Sequence, residues 1–389
     1  MTGSSAAAAD VREAGVEEVL RALLAVPSEQ TDAFEAGPAV QSYLRGVVVD
    51  EARRLGLSTR CDEIGNVIVE VGPDSGPTTL IFAYAMTHPA NRMQDPYEPR
   101  LVTDESGHRR LRGRGAAEQK GALAAALLAT AALRERENEL KGRLVLCVSP
   151  AGETGRHDAA RTFMSGLTAT PEWCIVAIGT NNAIGIANKG RLDATIVIRG
   201  RSVHSSVPSQ GRNAIEGAAE ALGRLATIRP DGEHPRLGRA TVTPTSIRSW
   251  PEATHTVPDE VRIVVDRRLL PGDDPEAVLA ELRSALAAPE WGLEVVPGPH
   301  MYPSELEPDH PFVEFLRASF AAAGGGAEPE LLYSHGAIDA GFFNHEGVPA
   351  VMLGPGEQAM WHTDDESVAL ADVRRCAVVY ASAALRQLA

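Results

Sequence analysis

The chain has 389 residues, 44% hydrophobic and 23% charged, with a formal net charge of -15 from 37 basic and 52 acidic side chains. That length suits two domains or one large domain with an insertion, and the composition is that of a globular protein with ample core. The acidic balance argues against a nucleic-acid surface, which would need a basic stripe, and no stretch approaches the roughly 18 apolar residues of a membrane helix.

The segment over residues 1–10 has no basic start and no apolar core, so it reads as a frayed tail rather than a signal peptide. Four scattered cysteines without Cys-x-x-Cys spacing argue against a zinc-thiolate site and fit reduced thiols, so a cytoplasmic location is expected. Amphipathic periodicity predicts helices from Val11 to Leu24 and from Ala39 to Leu55. Asn66 to Val71 alternates like a strand, and Thr78 to Tyr84 is a short apolar run suited to a buried one. Leu111 to Ala129 passes from glycines 113 and 115 through Glu118 and Lys120 into an Ala/Leu-rich helix. A carboxylate at the N-terminus of that helix is well placed to face a ligand or metal. Strands from Arg143 to Val148 and from Cys174 to Ile178 complete an alternating α/β pattern.

From Gly190 the rhythm changes. Leu192 to Ile198 reads as a strand, Asn213 to Leu225 as a helix, Ala240 to Ile247 and Val261 to Asp266 as strands, Pro275 to Leu286 as a helix, and Leu293 to Val296 as a strand. This strand–helix–strand–strand–helix–strand order is the split ferredoxin-like pattern. After Pro311 the α/β rhythm resumes, with a strand from Val348 to Leu353 and a last helix from Leu370 to Leu385. The predicted organisation is a first domain over 1–188 and 306–389, with a second domain inserted over 189–305.

The order of motifs resembles the di-zinc exopeptidase and deacetylase family of acetylornithine deacetylase, succinyl-diaminopimelate desuccinylase, aminoacylase and glutamate carboxypeptidase. The motifs are Gly113-Arg-Gly-Ala-Ala-Glu-Gln-Lys-Gly121; Gly190 with His204-Ser-Ser-Val-Pro208 and Gly211-Arg-Asn-Ala214; Val257-Pro-Asp-Glu-Val261 and Val265-Asp-Arg-Arg-Leu-Leu-Pro-Gly272; and Gly354-Pro-Gly356 with His362-Thr-Asp-Asp-Glu366. The resemblance implies a zinc-exopeptidase-like α/β domain carrying a ferredoxin-like lid, a homodimer formed through the lid, a small-molecule substrate, and amide hydrolysis by water activated on metal.

Carried over position by position, the resemblance makes Glu118 the shared metal carboxylate, Glu153 a second carboxylate and His362 the last ligand. Other family positions are altered. Tyr84 stands for a ligand His, Met86 for the Asp that orients it, Gly152 for the Glu that acts as general base, and Ile178 for a further acidic ligand. What survives is the ligand set of one metal, so the expectation is one divalent ion per chain, zinc or manganese, on Glu118, Glu153 and His362. His88 is the leading replacement base, with His157 and His335 as others, and Tyr84 a candidate hydrogen-bond donor to a developing oxyanion. In the lid, His204 matches the family His that polarises the scissile carbonyl. Arg268 matches an arginine that grips a substrate carboxylate, with Arg267 on the opposite strand face. Asn213, His255 and Trp361 are further substrate-binding candidates; Trp361 could stack on a flat substrate. Gly341 stands where the family has an Arg beside His335 and Asp339.

The expected activity is therefore metal-dependent hydrolysis of a C–N bond in a small amino-acid-like or aromatic substrate, including hydrolytic deamination of an aromatic amine. The alternatives are a non-catalytic small-acid-binding protein on the same fold and a standard dinuclear amidohydrolase or exopeptidase.

Overall fold

A computed structural model describes residues 11, 13–30, 37–152, 156–324 and 328–389. The tail expected over residues 1–10 and the candidate ligand Glu153 lie outside the described residues. The chain divides into two units. One comprises Met1–Ala187, Glu305–Tyr333 and Phe342–Ala389; the other comprises Asn188–Ser304 and Ser334–Gly341.

The first unit is built on a sheet running in the order Thr59–Cys61, Val67–Val71, Arg143–Ser149, Thr78–Tyr84, Trp173–Ala177, Ala350–Leu353 and then Ile184–Asn188. Its centre is parallel and its flanks are antiparallel. Five of these strands are buried at every position, Ile184–Asn188 and the four apolar runs Thr78–Tyr84, Arg143–Ser149, Trp173–Ala177 and Ala350–Leu353. That is why they read as continuous apolar runs: helices cover both faces. The helices Gly121–Arg134 and Leu370–Leu388 pack together and against the strand Thr78–Tyr84. Elsewhere on the sheet, Phe82 meets Phe163 and Phe343 from two further helices. The alanines of Gly121–Arg134, nearly all buried, give that helix small side chains where it packs.

A separate three-stranded sheet, in the order Ser367–Ala369, Arg109–Arg112 and Arg100–Thr103, does not show in the hydrophobic pattern. Its strand Arg100–Thr103 is fully exposed and Arg109–Arg112 carries arginines at 109, 110 and 112, so neither alternates like a half-buried strand. This small sheet draws the end of the chain against residue 111, through the pairing of Ser367 with Arg112 and Val368 with Leu111.

The second unit is an antiparallel sheet in the order Val242–Trp250, Glu260–Leu269, Gly190–Arg199 and Glu294–Met301. Helices Ala214–Leu225 and Pro275–Ala285 complete the expected ferredoxin-like order. Leu192, Ala194, Ile196 and Ile198 alternate onto the helix-facing side, where they join Val261, Ile263, Val265 and Leu269. The strand Val242–Trp250 is a sheet edge, with Ile247 54% and Trp250 37% exposed. Ser334–Gly341, expected in the last segment of the first domain, groups instead with this unit. Lys189 N–H donates to Ser334 O at 3.0 Å, and a Cβ on Gly341 would sit 1.9 Å from Tyr302 O.

Candidate functional site

The loop that enters the buried helix Gly121–Arg134 is shaped by Gly115. Its φ is +83°, and a Cβ there would lie 2.4 Å from the Thr87 methyl. The chain then makes a single π-helical turn over Ala116–Lys120, which leaves several backbone N–H groups without helical acceptors. Glu366 supplies the acceptors. Its carboxylate takes N–H bonds from Gly115 at 2.9 Å, Ala117 at 3.0 Å and Glu118 at 3.2 Å, and Arg114 Nη1 donates to it at 2.7 Å. Arg114 and Glu366 are both buried. A negative group at the positive end of the helix is favourable, and here it fixes the backbone on which Glu118 sits. Neither Arg114 nor Glu366 was among the candidate residues. Both fall inside the motifs, Arg114 as the second residue of Gly113–Gly121 and Glu366 as the last of His362–Glu366, and their charges were the available signal.

Glu118 is buried, and its Oε2 lies 3.0 Å from His362 Nε2. His362 has φ +60°, a left-handed backbone uncommon for a residue with a side chain. His88 stacks on its ring, centroids 3.9 Å apart and planes 19° from parallel. His88 Nδ1 is 3.0 Å from Pro89 O, which only accepts, and 3.4 Å from Asn91 Nδ2, which only donates, so the shorter contact calls for a hydrogen on Nδ1 and the longer one for a lone pair there. Two ligands of a tetrahedral zinc ion stand about 3.4 Å apart, given metal–ligand bonds of about 2.0–2.2 Å. The Glu118–His362 pair would need to open by only a few tenths of an ångström. The donor set, one carboxylate and one imidazole at near-ligand spacing, therefore fits a divalent ion. No group of three metal-binding side chains occurs among the described residues.

The neighbouring corner is different. Tyr84 and Met86 are 2% exposed and Ile178 is 7% exposed. A Cβ on Gly152 would meet Met86 Cε at 2.3 Å and Tyr84 Cδ1 at 2.8 Å. Three of these positions are apolar or aromatic, and the fourth has no side chain because Met86 fills the room. The Tyr84 ring also packs edge-on against Phe82, at 5.6 Å between centroids.

Trp361, half-buried, precedes His362, and its Nε1 is buried without a hydrogen-bond partner among the described residues. Gly179 makes room for it: a Cβ there would lie 3.0 Å from Trp361 Nε1 and 2.1 Å from Ala117 O. His157 is buried against Phe342, ring centroids 5.3 Å apart. Lys120 is fully buried, donates from Nζ to Val26 O at 2.9 Å and lies over the Tyr43 ring. Burial pulls its pKa down to about 7, against the opposing pull of Glu366 and Glu29.

In the second unit His204 and His255 are neighbours, ring centroids 5.9 Å apart, and His204 Nδ1 is 2.8 Å from Ser206 Oγ. Asn213 caps the helix Ala214–Leu225, its Oδ1 accepting from Ile215 N–H at 3.1 Å. Arg268 donates to both oxygens of Asp266, at 2.9 and 3.1 Å, so part of its fork is already engaged. Arg267 is buried on the opposite strand face. Burial, and then the charge of Lys189, hold the His335 imidazole below its usual pKa, and Asp339 is buried.

A family model described as peptidase family M20/M25/M40 matches residues 87–386. Succinyl-diaminopimelate desuccinylase of Rhodospirillum centenum is 27% identical over 374 residues, covering 92% of this chain and 94% of that protein. Among solved structures, the M20 family metallo-carboxypeptidase Sso-CP2 from Sulfolobus solfataricus superposes with a TM-score of 0.75 at 19% identity, covering 96% of this chain and 98% of that one. The Bacillus subtilis YXEP protein, a dinuclear metal-binding peptidase of the M20 family, gives a TM-score of 0.65 at 16% identity, over 96% of this chain and 98% of that one.

Proposed function

The chain belongs to peptidase family M20/M25/M40, it is a metallohydrolase of C–N bonds, and from that premise we propose that it works with a single divalent ion, zinc or manganese. The observation that carries this reading is the contrast around Glu118. Glu118 and His362 meet at 3.0 Å, while Tyr84, Met86 and Gly152 pack closed the positions where the family resemblance puts the other ion's ligand, its orienting Asp and the general base. Glu118, Glu153 and His362 would hold the ion. Bound there, it would supply Lewis acidity, lowering the pKa of a water and polarising a carbonyl.

With no carboxylate at Gly152, His88 is the proposed proton acceptor. Its ring is held flat against His362, and in the tautomer that donates from Nδ1 to Pro89 O, Nε2 is left to take a proton. Tyr84 is the proposed donor to the oxyanion. His204 is proposed to polarise the scissile carbonyl, and His255 and Asn213 to line the substrate. Arg268 is proposed to take a substrate carboxylate, competing with Asp266 for the guanidinium. The substrate class is an amide or amine of a small amino-acid-like or aromatic molecule. Relatives named as a desuccinylase and a carboxypeptidase support the amino-acid-like part, and the Trp361 indole supports a planar group. The proposed assembly is a homodimer through the second unit, supported by its exposed edge strand Val242–Trp250.

The missing carboxylate at Gly152 also favours a second reading, a small-acid-binding protein without turnover. A panel of N-acyl amino acids, dipeptides and aromatic amines, run with the metal-loaded protein and with Glu118→Gln, separates the two. Hydrolysis of one class, abolished in Glu118→Gln, supports the enzyme. Saturable binding with no hydrolysis of any member supports the binder.

A further inference from the structure

Arg267 stands where the second unit should be apolar. It lies on the strand Glu260–Leu269 on the face that carries Val261, Ile263, Val265 and Leu269, and it is 4% exposed. A guanidinium buried there needs acceptors for five N–H groups. Among the described residues the only hydrogen bond it makes goes to Arg268 O. Asp273 is the nearest carboxylate, but its Oδ2 is 3.8 Å from Arg267 Nη2 and already accepts from Leu270 N–H at 2.9 Å. Burial pushes the guanidinium pKa down, with Asp273 and Glu281 pushing back.

Arg267 lines a cavity of ≈ 450 Å³ between the turn after helix Ala214–Leu225 and the helix Pro275–Ala285. That volume lies within the usual range for small-molecule pockets, about 300–1,000 Å³. Its walls include the apolar side chains of Ile228, Val278 and Leu282, the exposed carboxylates of Asp231 and Glu281, and a second guanidinium, exposed Arg229, whose Nη1 already donates to Ala226 O and Ile228 O. A simple anion would meet the two arginines but be opposed by the two carboxylates. A purely cationic ligand would meet the reverse. A molecule carrying a carboxylate and an ammonium on one carbon, with an apolar side chain, satisfies all three parts of the lining.

We propose that this cavity is a binding site for a free apolar α-amino acid. The ligand carboxylate completes the Arg267 fork, its ammonium faces Glu281 and Asp231, and its side chain covers Val278 and Leu282. The site lies wholly within the second unit and does not depend on the proposed metal chemistry.

Isothermal titration of the full chain with L-leucine tests it, with isoamylamine (no carboxylate) and 4-methylpentanoate (no amine) as matched controls. The expected result is one saturable leucine site per chain, with each control at least tenfold weaker. Arg267→Met, an apolar replacement suited to that strand face, should weaken leucine at least tenfold. Glu281→Gln, an exposed change that leaves the fold alone, should also weaken leucine and narrow its advantage over 4-methylpentanoate. No leucine binding in the unmodified chain would overturn the proposal. So would leucine affinity unchanged in Glu281→Gln and in any folded Arg267→Met, since leucine would then be bound elsewhere.

Discussion

The corner formed by Glu118 and His362 and the corner formed by Tyr84, Met86 and Gly152 lie in one unit, yet they are built from opposite materials. In the first, a buried carboxylate and an imidazole touch, and a second buried carboxylate, Glu366, anchors the backbone beneath them through three N–H groups and Arg114. In the second, a methionine methyl and a tyrosine ring occupy the space that a side chain on residue 152 would need. A polar site survives where the surrounding hydrogen bonds fix its geometry. Its neighbour is closed by the packing of Met86 and Tyr84 against Gly152.

The comparison can be broken most severely at Glu366. Glu366→Ala leaves Arg114 buried without its counter-charge and the N–H groups of Gly115, Ala117 and Glu118 without their carboxylate acceptor. Removing one partner of a buried pair costs about 3–5 kcal/mol, which urea unfolding would register as a lower midpoint. A loss below about 1 kcal/mol would mean that Glu366 does not anchor the loop.

The apolar corner is probed by Gly152→Ala. The added Cβ must displace Met86 Cε, and overpacking of this kind costs about 1–3 kcal/mol. Met86→Ala in the same chain should recover part of that loss, a non-additivity that a double-mutant cycle reads directly. A neutral Gly152→Ala would show that the corner has room to spare.

A smaller effect sharpens the polar corner through Lys120. Its folded-state pKa of about 7 lies below the 10.5 of a free lysine. Between those values the unfolded chain binds a proton that the folded chain does not, so stability falls as pH drops from about 10 toward 7 and levels off below. The slope is at most about 1.4 kcal/mol per pH unit. Lys120→Met should flatten it, measured as unfolding free energy at pH 8 and pH 9. An unchanged slope would mean that the amine is charged inside the fold.

Much of the architecture was legible because burial leaves a period. The strands Thr78–Tyr84 and Arg143–Ser149 are apolar throughout because both faces are covered, and Gly190–Arg199 alternates because one face is. The sheet of Arg100–Thr103, Arg109–Arg112 and Ser367–Ala369 left no such trace, since its residues are largely charged or exposed. The pairing that brings Glu366 to Gly115 depends on that sheet, so it could not be read from spacing across some 250 residues. Asn213 shows another limit: its capping bond is a local signal that a substrate role would not alter. The Arg268–Asp266 contact joins residues two apart on one strand face, a spacing the sequence offers without saying which partner the guanidinium takes.

Metal analysis of the purified protein, with His362→Ala beside it, tests the central claim most directly. The account predicts about one zinc or manganese ion per chain in the unmodified protein and essentially none in the variant. About two ions per chain would show that the Tyr84–Met86–Gly152 corner still binds metal. None in either protein, even after incubation with zinc or manganese, would contradict a metal centre at Glu118 and His362.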